Sequence, residues 1–200
     1  VSGQDGSYLA QLLLERGYDV HGTLPNAAAG TPRNHERLGI ADRVVLHGLR
    51  LPDDAGVRAL VRDVRPDEIY GLAGPSSVGR SFGDPAATFE GIALGTLSLL
   101  EAVRSVHPQA RVYTASSSEM FGDVGSKAAD ESTTLAPLSP YGVAKAAAHE
   151  HTRQYRERFG LFAATGILFN HESPLRPEGF VTQKIVAGAV YVERLMTMWQ

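Results

Sequence analysis

The sequence predicts an α/β protein built on a doubly wound parallel sheet. Short β-branched or aromatic runs alternate with longer stretches of helical periodicity, the pattern of repeated βαβ units. The short runs are almost continuously apolar, as in strands covered on both faces. Gly3 and Gly6 stand three apart directly before the first helical stretch, where a doubly wound fold makes its first strand-to-helix turn.

The elements follow in order. In Ser7–Arg16 the residues Leu9, Leu12, Leu13 and Arg16 share one face, and Gly17 sits where a helix commonly ends. Strand Tyr18–Thr23 leads to the small-residue loop Asn26–Thr31, then to strand Arg43–His47 and helix Asp54–Val64. Strand Glu68–Ala73, helix Ala86–Val106 and strand Arg111–Ala115 come next. A long polar loop, Phe121–Ser139, ends at Pro140, which starts helix Pro140–Phe159. Strand Leu161–Phe169 follows, and Val181–Val190 and Tyr191–Gln200 read as two separate helical pieces. No strand precedes Ser2–Ser7; a doubly wound sheet lacking its first strand would have a hydrophobic slot at its centre, so the expectation is that this sequence omits residues before Val1.

Composition narrows the function classes. The chain has 200 residues, 43% hydrophobic and 20% charged, with formal charge 19 − 22 = −3. This is too apolar for disorder and too balanced for a histone-like nucleic-acid binder. No run approaches the ~20 apolar residues of a membrane span, and no basic patch precedes a signal-like stretch. Cysteine is absent, which excludes disulfides, thiol catalysis and Cys-ligated metals and fits the cytosol. No metal is expected: His171 and Glu172 are adjacent, not at helical ligand spacing, and the six other histidines read as surface or packing residues.

Three clusters carry chemistry. Ser2-Gly3-Gln4-Asp5-Gly6 reads as the second half of a phosphate-binding turn, because glycine lets a pyrophosphate approach the backbone at a helix N-terminus. It reads equally as a Gly-rich helix entry. Leu72-Ala73-Gly74-Pro75-Ser76 is a second phosphate-facing loop or a plain turn. Tyr141 and Lys145, four apart, share a helix face. A phenol with an ordinary pKa of ~10 is a poor base, but an ammonium and a cationic nicotinamide beside it would favour the phenolate. The alternative is an amphipathic helix with a half-buried Tyr and a solvated Lys. Ser116-Ser117-Ser118-Glu119 closes a strand at its carboxyl end, where ligands gather in parallel sheets, and would bring Ser117 and Glu119 into the crevice of Tyr141; the alternative is an ST-turn of the serines with Glu119 a surface charge. The third cluster, Asn170-His171-Glu172-Ser173-Pro174, follows the last strand.

Together these residues resemble the GDP-mannose 4,6-dehydratases, a family of extended short-chain dehydrogenases/reductases. The matching stretches are GQDGSYLAQLLLERGYDVHG, RPDEIYGLAG, LGTLSLLEAVR, ASSSEMFG, SPYGVAK, GILFNHESP and FVTQKI. The resemblance implies a Rossmann-type dinucleotide-binding domain over residues 1–169 and, in 170–200, fragments of a nucleotide-sugar-binding domain. It implies dimers or tetramers. Carried over by position, Ser117 is the catalytic hydroxyl, Glu119 the dehydration acid/base, and Tyr141 with Lys145 the redox pair. Ser2–Gly6, Leu72–Gly74, Ser76, Lys145, His171 and Arg176 fall at cofactor contacts, and Ser117, Asn170 and Lys184 at substrate contacts. The expected cofactor is NADP or NAD: the family's Arg-Arg-Ser-Ser run is Pro25-Asn26-Ala27-Ala28 here, with no acidic residue in exchange. Its Gly-Asp-Leu is Leu49-Arg50-Leu51, and its Gln-Ser-His-Val is Pro75-Ser76-Ser77-Val78.

The expected activity is nucleotide-sugar 4,6-dehydration of GDP-mannose or a related GDP-hexose in the cytoplasm, with no nucleic-acid or membrane partner. Two alternatives stay open: an epimerase or reductase of the same superfamily, and a non-catalytic nucleotide-binding relative suggested by the altered cofactor contacts.

Overall fold

The computed structural model describes residues 1–198. The chain divides into two compact units that interleave in sequence: Val1–His21 with Gly30–Val45 and the segment from Asn170 onward, and Gly22–Ala29 with Leu46–Phe169.

In the first unit, α1 spans Gln4–Glu15. It begins three residues before the expected start, because Gly3 is extended (φ −73°, ψ 176°) and serves as N-cap. Gly17 has φ +83° and closes the helix in the left-handed conformation, as expected. The face shared by Leu9, Leu12, Leu13 and Arg16 is not the buried one. Gln4, Gly6, Ser7, Ala10 and Leu14 are buried, whereas Leu12 is exposed. Small residues line the inner face because the backbone passes close there: a Cβ on Gly6 would stand 2.7 Å from the Val1 carbonyl oxygen. A short helix, α2 at Arg33–Arg37, lies within the region left open by the sequence reading and seals His35 from solvent. The C-terminal α8 is one helix, Val181–Met198, not two pieces parted at Val190–Tyr191. Nothing in that stretch breaks a helix (no proline, one glycine at 188), so the i→i−4 bonds run through. The expected second piece ended at Gln200, outside the described residues.

Strands β1 (Val20–Leu24) and β2 (Val44–Gly48) pair as a two-stranded sheet. Strands β3 (Glu68–Gly71), β4 (Arg111–Ser117) and β5 (Ala163–Leu168) form a second, parallel sheet in the order β3-β4-β5. The parallel α/β class is the expected one. β4 runs two residues past its expected end, since Ser116 and Ser117 pair with Ile167 and Leu168.

In the second unit, α3 (Asp54–Val64) is capped by Asp53, which accepts from the Gly56 N–H at 2.9 Å. Short helix α4 covers Val78–Ser81, capped by Ser77. The expected helix Ala86–Val106 has three parts: α5 (Pro85–Phe89), a π-helical turn (Glu90–Leu94) and α6 (Gly95–Val106). Contrary to the reading that no run approaches a membrane span, these 22 residues are long and apolar enough by length and composition. Their apolar side has a partner, however. Leu100, Ala102 and Val103 join Val57, Val61, Val112 and Ala163 in one core, so this is a core helix under a sheet. The last large helix, α7 (Pro140–Phe159), has the expected bounds: Ser139 caps its start and Gly160, at φ +68°, ends it.

Candidate functional site

The carboxyl end of β4 and the first two turns of α7 carry Ser117, Glu119, Tyr141 and Lys145. Alternation along β4 buries Val112, Thr114 and Ser116. Thr114 meets Thr152 of α7 hydroxyl to hydroxyl at 3.0 Å, and Ser116 reaches the Lys145 carbonyl at 3.4 Å. Both contacts seat α7 against the strand.

Lys145 is only 8% exposed, and its ammonium donates to the Ala115 carbonyl at 2.8 Å. Burial pushes its pKa down to about 8. The same Nζ lies 5.7 Å from the centre of the Tyr141 ring. Tyr141 is itself 9% exposed and packs with Ile92, Ala144 and Ala148. The solvated Lys of the alternative reading is therefore not what this helix presents; the two side chains share one face and one partly closed setting.

Ser117 ends the strand and accepts from the Glu119 N–H at 3.3 Å, which starts a short 3-10 turn, Ser118–Met120. That turn places Glu119 on the wall of a cleft of about 360 Å³, with Ser118, Phe121, Val124 and Phe169 among the other lining residues. Glu119 is exposed to this cleft, and its backbone abuts α7: a Cβ on Gly142 would stand 2.6 Å from the Glu119 carbonyl oxygen.

The loop after β3 turns sharply, with the Leu72 N–H on the Tyr70 carbonyl at 3.1 Å. Ala73, Gly74 and Ser76 are exposed. Gly74 has φ +130°, and a Cβ there would stand 2.8 Å from Ile92 of the π-helical turn. This turn thus touches the loop on one side and, through Ile92, Tyr141 on the other. π-helical turns recur at functional sites for such re-aiming of side chains.

The first unit holds the other predicted group. Gly3 makes no side-chain cap, and no heavy atom lies within 4 Å of where its Cβ would be. The first-turn N–H groups of a helix lack intrahelical acceptors, so this open glycine entry fits the phosphates of a dinucleotide. Ser2, exposed, accepts at its carbonyl from Asn34 at 3.0 Å. Gln4 is buried and tied to the 170–184 segment: its amide reaches the His171 carbonyl at 3.4 Å, and its oxygen accepts from Ser173 at 2.8 Å. Asp5 meets His171 Nε2 at 2.9 Å. Arg176 lies over Phe180 at 3.7 Å and 3.5 Å from Glu172. Asn170 and Lys184 are exposed. Among the described residues no three His, Asp or Glu side chains gather closely enough to hold a metal.

The sequence reading passed over Ser116, the Ala115 carbonyl, Ile92 and Ser173. Ser116 stands inside the serine run and Ser173 inside the Asn170–Pro174 cluster; the Ala115 carbonyl and Ile92 give no signal, since a backbone carbonyl and a packed Ile have none.

Comparison with known proteins gives a consistent result. The family model described as GDP-mannose 4,6 dehydratase matches residues 1–195. A GDP-mannose 4,6-dehydratase of Yersinia enterocolitica is 44% identical over 192 residues, covering 92% of this chain and 52% of that protein. The Arabidopsis thaliana GDP-mannose 4,6 dehydratase 2 is likewise 44% identical over 195 residues, with 92% and 52% covered. The chain thus spans about half the length of these relatives. Among solved structures, a Thermus thermophilus UDP-glucose 4-epimerase in complex with NAD superposes with TM-score 0.70 at 32% identity, covering 80% of this chain and 50% of that one. A dTDP-glucose 4,6-dehydratase from Streptomyces venezuelae has TM-score 0.81 at 24% identity over 94% of this chain and 60% of that one, a likeness of fold. With its doubly wound α/β architecture and a family match over residues 1–195, this chain belongs to the GDP-mannose 4,6-dehydratase family.

Proposed function

We propose that the protein is a nucleotide-sugar 4,6-dehydratase acting on GDP-mannose or a related GDP-hexose, with NAD or NADP as its cofactor. One observation carries the reading: Glu119 opens onto a cleft at the end of β4 while its backbone touches α7 beside Tyr141. A carboxylate there suits dehydration, and neither epimerisation nor simple reduction has need of it.

The bound dinucleotide supplies acceptance of a hydride from the sugar C4 and its return to C6. This chain's residues do the rest. Tyr141, beside the Lys145 ammonium, takes the proton of the 4-hydroxyl. Ser117 hydrogen-bonds the developing charge on O4. The 4-ketone acidifies the C5 proton; Glu119 removes it and protonates the departing 6-hydroxyl, which leaves as water, and the proton held on Tyr141 is then delivered to C5. The sum is a 4-keto-6-deoxy sugar plus one water, with no net redox change. Each positioned acid or base contributes about 10²–10⁴-fold.

Ser2–Gly6, Leu72–Gly74, Ser76, His171 and Arg176 are assigned to the cofactor, and Asn170 and Lys184 to the nucleotide sugar. Residues 1–169 are assigned to dinucleotide binding and 170–200 to the sugar-binding part, in a cytoplasmic homodimer or homotetramer. The test is incubation of the intact protein with GDP-mannose and either dinucleotide. The expected product is lighter by one water; unchanged sugar across several nucleotide hexoses overturns the reading. A second reading, 4-epimerisation, is favoured by the likeness to the Thermus epimerase and would give an isomer of unchanged mass.

A further inference from the structure

We propose that Ser116, which no motif assigns a role, is a positioning residue that locks Lys145, and through it Tyr141, against the end of β4. The proposal rests on the dehydratase reading only for its kinetic arm.

Two consecutive strand residues grip Lys145 at both ends. The Ala115 carbonyl accepts from the side-chain ammonium at 2.8 Å. The Ser116 hydroxyl lies 3.4 Å from the Lys145 main-chain carbonyl and 3.2 Å from the Met120 sulfur. Ser116 is 3% exposed and Met120 1%, so no water takes the hydroxyl's place without repacking. An interior helical carbonyl already accepts from the residue four ahead. The added contact therefore fixes where α7 sits along the strand and does not satisfy an orphan group. One residue on, Ser117 caps the turn that sets Glu119. A shift of β4 against α7 would move the ammonium, the phenol and the carboxylate relative to one another.

The ammonium favours the phenolate by proximity, so loosening its anchor weakens that effect. Other charged or titratable residues on elements packed against α7 are Glu119 on the 3-10 turn, Arg80 on α4, Glu90 on the π-helical turn, Glu101 and Arg104 on α6 and Arg111 and Tyr113 on β4. None contributes to the depression of the Lys145 pKa, whose cause is burial.

The test compares wild type, Ser116→Ala and Ser116→Thr in the intact protein. The Tyr141 phenol is titrated by ultraviolet difference against Tyr141→Phe, with and without bound dinucleotide. Ser116→Ala is expected to move the Tyr141 titration to higher pH. Ser116→Thr keeps the hydroxyl, and flexible Met120 can yield to its methyl, so the titration returns toward wild type. In turnover, Ser116→Ala is expected to lower kcat by about threefold to tenfold, the scale of one hydrogen bond, with KM unchanged. Coincident Tyr141 titrations in the three proteins overturn the proposal, as does an equal loss of thermal stability in both variants without a titration shift. If wild type dehydrates no nucleotide sugar, the functional reading falls, and the titration alone decides the role of Ser116.

Discussion

Gly142 lies so close to the Glu119 carbonyl that any side chain there would collide: an added Cβ stands 2.6 Å from the oxygen and 3.0 Å from Pro137 Cβ. In an exposed helix, alanine would stabilise relative to glycine by roughly 0.5–1 kcal/mol. Here Gly142→Ala is expected to destabilise by about 1–3 kcal/mol, the scale of overpacking. It should also lower turnover more than Ser139→Ala, which removes only the cap to the Gly142 N–H at 3.0 Å and costs ~1 kcal/mol. Urea unfolding and kcat of the two variants check this; a Gly142→Ala protein as stable and active as wild type refutes it.

Lys145 should make both turnover and stability depend on pH. Burial holds its pKa at about 8, against an ordinary value of 10.5. Between those values the unfolded chain binds more protons than the folded one, so this group adds stability as pH rises. Lys145→Met is expected to lose that rise, seen by subtracting its denaturation midpoints from those of wild type across the interval. Catalysis has the opposite slope: the ammonium disappears as pH climbs through about 8, and turnover falls with it. Lys145→Arg keeps its charge, so its alkaline limb moves to higher pH; an unmoved limb would assign the limb to another group.

Glu119→Gln separates the two halves of the proposed reaction. Glutamine keeps the shape but cannot take the C5 proton. Dehydrated product is expected to fall by at least about 10²-fold, while exchange of solvent deuterium at C5 drops in parallel and nucleotide-sugar binding is retained. Retention of full dehydration in this variant would remove Glu119 from the chemistry.

The buried hydroxyl chain is a structural prediction of a different kind. Thr114 meets Thr152 at 3.0 Å and Thr165 at 3.1 Å, and Thr152 donates to the Ala148 carbonyl at 2.9 Å. Thr152→Val keeps the volume and removes one link, leaving Thr114 with fewer partners. The expected loss is about 1–3 kcal/mol, measured by chemical denaturation, with the Thr114→Val/Thr152→Val pair less destabilised than the sum of its members.

Local signals decided what was legible. Asp54–Val64 and Pro140–Phe159 were readable to the residue because each begins at a side-chain cap and ends at a left-handed residue, Arg65 or Gly160. Capping involves neighbours in sequence, and the sequence therefore states it. Tyr141 and Lys145 were legible as a pair for the same reason, since spacing of four on a helix fixes a shared face. The inner face of α1 was not, because its leucine stripe and its small-residue stripe both have helical period. Which one is covered depends on what approaches from elsewhere in the chain, here Val1 and the Ser173 region. The π-helical turn inside residues 85–106 was hidden likewise, as nothing in Glu90–Leu94 marks it.

By itself, then, the amino-acid order determined the alternation of elements, the ends of α3 and α7 and the shared face of Tyr141 and Lys145, all properties of short stretches. Only the tertiary structure decided that Lys145 is buried on the Ala115 carbonyl, that Glu119 faces a cleft, and that Ser116 grips α7. Those facts arise from contacts between residues some thirty positions apart, where burial and close approach, absent from any local pattern, set the chemistry of each group.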